Sequence, residues 1–309
     1  MAAFHSDEIL EELRELWAAL GKAAEQGDSQ GVVRACALTL MVFAEESDDA
    51  VSIGETLAEL MREHPHRAIV VRVRRDAPPL LEHRVRAQCW MPFGRRQQIC
   101  CEWIEIIAAE ASLADLAPVL LALRAPDLPM ALWCRSARLF ESPALPAATL
   151  AANKLIVDAA AAGDPPAMLR RLAKAAAAGP PIADLAWTRL TRWREIVAQA
   201  FESPASRALL SRIGEVRVFH AGERVPPEAC YLAGWVLDAL GRDIDVRFEA
   251  AAEEGLEFRS TGIQPLHIAG CPRSTDSALL GEELSILGRD PVYDRALQWA
   301  ARIAGRPRG

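Results

Sequence analysis

Between residues 130 and 240 the chain alternates short apolar runs with longer amphipathic ones. That rhythm restricts its folds more than any other feature. Residues 130–134, 154–158, 182–186 and 216–219 read as buried strands, and 166–178, 188–201 and 227–240 carry helical periodicity. Strands separated by helices connect through right-handed crossovers, which predicts a parallel sheet covered on both faces. Beyond them, 243–250, 256–260 and 263–269 predict an antiparallel meander, and 292–303 a closing helix.

The preceding third has a different grain. Residues 7–20 place Ile9, Leu10, Leu13, Leu16, Trp17 and Leu20 on one helical stripe with acids at its start. Residues 25–31 are polar and read as a linker, 32–44 as a buried strand, and 52–63 as a helix that stops before Pro65. Three strands follow at 67–74, 84–91 and 97–108, the last two joined as a hairpin by a turn at 92–95. Ser112, with Asp115 three positions on, predicts the capped start of a helix running to 123. The expected class is α/β in two domains. Residues 1–27 form a helix and linker, 28–125 an α+β domain with a mixed or antiparallel sheet, and 126–309 a largely parallel α/β domain with an antiparallel extension.

Half of the 309 residues (51%) are hydrophobic, enough for a substantial core, and no apolar run is long enough to cross a bilayer. A net charge of −7 argues against general nucleic-acid binding. The N-terminus lacks the basic start and unbroken apolar centre of a signal peptide. Seven cysteines, an odd number set mostly in apolar runs, read as reduced core residues of a cytoplasmic protein. Adjacent Cys100 and Cys101 are a possible redox pair. On a strand they face opposite sides, and a reactive thiol would need Arg95 or Arg96 close by.

Chemistry is hard to find. His64 and His66 lack the companion ligands of a zinc site, so no metal is expected. No glycine-rich phosphate loop or nucleophile elbow is present, so no cofactor and no catalytic residue are expected. Asp127, Asp158, Asp184 and Arg135 sit at strand edges, where an α/β sheet holds its ligands; each is otherwise a helix cap or an ion-pair partner. Residues 184–195 crowd Trp187, Arg189, Trp193 and Arg194 together, residue types that dominate protein contact sites. Trp187 and Trp193 are six residues apart and face different sides of one helix, so one of them is expected to pack inward. Trp103 and Trp235 lie in apolar runs and are expected in the core.

Several segments, in order, resemble the glucose-6-phosphate dehydrogenase assembly protein family, OpcA. They are His64-Pro65-His66-Arg67-Ala68-Ile69, the run Arg95 to Glu102, Pro126-Asp127-Leu128-Pro129 with Leu132 to Arg135, Leu155 to Asp158, the segment 184–195, and Ala233-Gly234-Trp235 with Leu240-Gly241. His66 and Ala186 depart from the usual Ser and polar residue. The resemblance implies a non-catalytic, cytoplasmic partner of glucose-6-phosphate dehydrogenase in the pentose phosphate pathway. Such a protein favours the active oligomer and acts as an allosteric activator. On this reading Trp187, Arg189, Trp193 and Arg194, then Trp133 and Arg135, are the expected contacts. A rival reading is a sugar-phosphate or nucleotide sensor with Asp127, Asp158, Asp184 and Arg135 lining a crevice. An enzyme with an unrecognised site is the third.

Overall fold

The computed structural model describes residues 6–26, 31–75, 78, 81–92, 97–142, 145, 149, 152–177, 179–260, 262–270 and 274–305. The chain divides into two compact units, one of Met1–Val157 with Asp276–Gly288 and one of Asp158–Thr275 with Arg289–Gly309.

The first unit opens with α1 (Ser6–Gln26), then β1 (Val32–Arg34), β2 (Leu38–Glu45), α2 (Ala50–Leu60), β3 (His66–Arg74), β4 (Leu81–Trp90) and β5 (Gln98–Ala109). It continues through α3 (Leu113–Leu123), β6 (Met130–Cys134), α4 (Ala137–Phe140) and β7 (Lys154–Val157). The strands lie in the order β5-β3-β2-β6-β7, every neighbouring pair parallel. β4 runs antiparallel along the outer edge of β5, and β1 pairs in parallel with the start of β5. β2 is almost continuously apolar, and β3 is apolar through its centre from Ala68 to Val71, because strands inside a parallel sheet are covered on both faces.

Helices cover opposite faces. α2 starts at Asp49, whose carboxylate accepts the backbone N–H of Val51, and buries Ile53, Leu57 and Leu60. On the other face Arg67 donates to the carbonyl of Leu123 at the end of α3, at 2.7 Å. The stripe of α1 docks on the same unit: Ile9 and Leu13 are buried, Trp17 donates its indole N–H to Glu102 at 2.6 Å, and Glu12 meets His83 at 3.0 Å. Glu102 also pairs with buried Arg67, so two of the sequence motifs meet in one buried ion pair.

The second unit contains α5 (Pro165–Ala176), β8 (Ile182–Asp184), α6 (Leu185–Thr188), α7 (Thr191–Ala200), α8 (Pro204–Arg207) and β9 (Ile213–His220). After these come α9 (Pro227–Leu240), β10 (Asp245–Ala250), β11 (Gly255–Ser260) and β12 (Ile263–Ala269). The chain returns to the first unit as α10 (Asp276–Ser285) and ends in the second as α11 (Pro291–Ile303). A four-stranded sheet has the order β10-β9-β11-β12. α9 and α11 approach so closely that Gly234 lies against backbone atoms of Ala296 and Ala300.

The α/β class and the β4–β5 hairpin are as the sequence predicts. The expected strand 32–44 is two strands, broken at Cys36. Residues 130–134 and 154–157 pair on β2's side of the first sheet rather than opening a second one. β10 departs from the expected antiparallel meander. It runs parallel to β9, because α9 carries the chain back across the sheet. Ser112 makes no side-chain capping bond; it ends a 3-10 turn. The turn residues 93–96 lie outside the described residues.

Candidate functional site

In a doubly wound sheet, ligands settle where the chain reverses its direction of travel across the sheet, beyond the carboxyl ends of the strands. Here that point lies between β2 and β6. The turn after β2 reads Glu45-Glu46-Ser47-Asp48-Asp49, where a dinucleotide-binding sheet carries glycines. Arg138, just past β6, grips both oxygens of Glu45 and reaches Glu110. Ser136 donates to Glu45 at 2.8 Å, and Asp48 accepts the backbone N–H of Glu45 at 2.9 Å. Burial disfavours the Glu45 carboxylate, but the bonds from Arg138 and Ser136 prevail and hold its carboxyl below the usual range. At the amino end of α2 Asp49 already caps the N–H of Val51 with its own carboxylate. A phosphate arriving here would meet a row of acids and have to displace the chain's own ion pairs. The acidic run at 45–49 is the sequence signal for this plug, and the reading by motifs passed over it.

A second polar cluster lies inside the second unit. Asp184 is fully buried; it accepts the backbone N–H groups of Ala159 and Ala186 at 2.9 and 3.0 Å and the Tyr231 hydroxyl at 2.7 Å. Burial, and then the charge of Asp158, push its carboxyl up to about 7. The Tyr231 hydroxyl stands 3.4 Å from that of Tyr293. Trp187 packs against both rings, with centroids 5.9 Å from each, and donates to Asp290 at 3.3 Å. Arg194 lies over the Trp187 ring at 3.6 Å. Arg189 holds Asp158 with two hydrogen bonds and also reaches Glu228.

These contacts revise the expected contact set. Trp187 and Trp193 are both buried, so neither presents its ring to a partner, and Trp133 in β6 is buried as well. Arg189 and Arg194 are spent on Asp158 and Trp187, while Arg135 stacks on Trp133 at 4.7 Å. The physical reason is that Trp and Arg serve buried polar networks as readily as interfaces, since each joins a large apolar body to a fixed donor. The crevice reading changes too. Asp158 caps a 3-10 turn and Asp184 caps α6, whereas Asp127 is exposed before β6, at the amino end of that strand. Trp103 is in the core as expected, and Trp235 is half-buried.

The cysteines are also revised. Cys100 is bonded to Cys89, not poised with Cys101, because the β4–β5 register sets 89 and 100 directly opposite. Cys101 is a buried thiol pushed up to about 11 by burial, the reverse of an activated one. Arg95 and Arg96 lie outside the described residues. His66 is buried with its Nδ1 2.7 Å from the carbonyl of His64, and burial lowers its pKa to about 4, so the ring stays neutral. Among the described residues no group of His, Cys, Asp or Glu is arranged to hold a metal ion, and no helix is long and apolar enough to cross a membrane.

The fold and this site define a two-unit α/β protein whose first unit is doubly wound and whose crevice is closed by its own ion pairs. It is a member of the OpcA family. Residues 57–174 match the family model described as glucose-6-phosphate dehydrogenase subunit N-terminal domain, and 180–297 the model described as the C-terminal domain of that subunit. A Nostoc punctiforme protein named "Putative OxPP cycle protein OpcA" is 33% identical over 143 residues, 46% of this chain and 30% of that one. A Synechocystis protein of the same name is 26% identical over 193 residues, covering 61% and 40%. The chain thus spans less than half the length of these curated relatives. Among solved structures, biliverdin reductase from Synechocystis shows 10% identity and a TM-score of 0.45, over 86% of this chain and 98% of that one. A similarity at that level carries no inference about function.

Proposed function

We propose that this chain is an assembly factor that binds glucose-6-phosphate dehydrogenase and favours its active oligomer, without chemistry of its own. The observation that carries this reading is the pair of family models, matched in order over most of the chain and both described as parts of a glucose-6-phosphate dehydrogenase subunit. The plugged crevice agrees with it. The place where a doubly wound sheet would hold a nucleotide is occupied by Glu45, Ser136 and Arg138.

An activator shifts a population only by binding the active state better than the inactive one. Couplings of about 1–3 kcal/mol, a factor of roughly 5–150, are usual. The contacts that supply this energy come from exposed side chains, not from the buried tryptophans. The test mixes purified dehydrogenase with this chain and follows its rate and its mass in solution. The expected result is a higher rate with a shift to the larger oligomer. No change in either at micromolar concentrations of both proteins removes the proposal.

A further inference from the structure

One face of the first unit's sheet is only partly roofed. α2 covers it on one side. Beyond that helix the surface of β3, β5 and β4 forms an open trough of about 600 Å³. Strand register brings its floor together: Arg84 stands opposite Glu105 and Arg86 opposite Trp103, with Arg72 on the same face of β3. Glu55 contributes from α2. Arg84 and Arg86 are exposed and make no ion pair among the described residues, and Arg86 lies over the Trp103 ring at 4.1 Å.

Two residues lining this trough carry a buried donor without an acceptor. Trp103 is 4% exposed, and its indole N–H is buried without a partner. Arg72 gives one terminal nitrogen to the carbonyls of Glu46 and Asp48 and holds the other 3.9 Å from Glu105, which leaves its buried Nε–H unpaired. Leaving such a donor unsatisfied costs about 1–3 kcal/mol, so two in one recess are an uncommon arrangement. Convergent guanidinium groups and a concave volume within the usual ligand range (about 300–1,000 Å³) are the marks of a small-molecule site. Guanidinium groups match the planar oxygen pairs of carboxylate and phosphate.

We propose that this trough binds a small molecule bearing an oxyanion, a phosphate ester or a carboxylate, through Arg72 and Arg86, with the Trp103 ring beneath Arg86 reporting its arrival. Glu55 and Glu105 narrow the choice. They accept hydrogen bonds from hydroxyl groups and repel a second charge, so a hydroxylated compound with one anionic end fits better than a polyphosphate. The site is independent of the dehydrogenase reading and of the plugged crevice.

The experiment uses the full chain labelled with nitrogen-15. Its eight tryptophans give eight indole signals, and Trp103→Phe assigns the one of interest. Glucose 6-phosphate, inorganic phosphate and gluconate, a hydroxylated monocarboxylate, are titrated separately into the millimolar range. The expected result is a saturable shift of the Trp103 signal, weakened about tenfold by Arg86→Ala, the loss of one charge-assisted contact. A stronger response to glucose 6-phosphate assigns a sugar phosphate, and one to gluconate a carboxylate. Arg86 is exposed, so the variant retains the other seven signals. An unmoved Trp103 signal with all three probes, or a shift unchanged in Arg86→Ala, overturns the proposal.

Discussion

Arg189 holds both carboxylate oxygens of Asp158, at 2.8 and 2.6 Å, where neither side chain is more than 18% exposed. Asp158 begins the second unit and Arg189 closes α6, so the pair fastens the two ends of the stretch that carries α5, β8 and α6. Charge-assisted bonds of this kind contribute about 1.5–3 kcal/mol each when one partner is removed. Arg189→Ala should therefore lower Tm by several degrees, read by thermal unfolding, and Asp158→Asn should do the same. Combining both should cost clearly less than the sum, because each single change already forfeits the bond. An unchanged Tm in Arg189→Ala would return this arginine to the set of partner contacts.

Asp184 makes a distinct prediction about pH. Its carboxyl is pushed up to about 7 in the folded chain, against 3.8 for an ordinary aspartate. Between those values the unfolded chain has released the proton and the folded chain keeps it. Folding then takes up a proton, and stability falls as pH rises from about 4 to about 7 and levels off above that. Asp184→Asn keeps an oxygen for the N–H groups of Ala159 and Ala186 and offers Tyr231 a donor. The variant should lose this slope. Tm measured across that pH range for both proteins checks it, and parallel curves would contradict the assignment.

Local structure was legible where local forces set it. Most of β2 and the centre of β3, Ala68 to Val71, are apolar because both faces are covered there, and the stripe of α2 points at the sheet. Pairings across long stretches of chain were not. Nothing near 130–134 announces that β6 runs beside β2, and β10 follows its helix into a parallel pairing that its own alternation does not encode. The segment 184–195 misled for a related reason. The partners that bury it, Tyr231, Asp290 and Tyr293, lie 44, 103 and 106 residues beyond Trp187. From the sequence its rings and guanidiniums looked unattached. The acids at 45–49 were visible in the sequence, but Arg138, which turns them into a plug, lies 93 residues beyond Glu45.

Gly234 inverts a familiar rule. In the interior of a helix, alanine is favoured over glycine by up to about 1 kcal/mol. A Cβ at 234 would stand 2.5 Å from the carbonyl oxygen of Ala296 and 2.8 Å from the backbone nitrogen of Ala300. Both are backbone atoms of α11 and cannot swing aside, so α9 and α11 would have to separate. Gly234→Ala should destabilise by about 1–3 kcal/mol, the usual cost of overpacking. Gly54, on α2, has open space around its Cβ position and serves as the control. Gly54→Ala should leave Tm unchanged or raise it, and a similar response at both sites would refute the close approach.

The bond between Cys89 and Cys100 can be counted directly. Among the described cysteines Cys89 and Cys100 are joined and four are free, so the denatured protein should titrate two more thiols after reduction than before it. The bridge spans only 11 residues of sequence, within the β4–β5 hairpin. Constraining so short a loop in the unfolded chain contributes at most about 3 kcal/mol. Reductant should therefore lower Tm modestly without unfolding the protein, since β4 stays paired with β5 along its length. Cys89→Ser should match the reduced wild type and be insensitive to reductant. Seven free thiols in protein purified without reductant would show that β4 and β5 are held by backbone pairing alone.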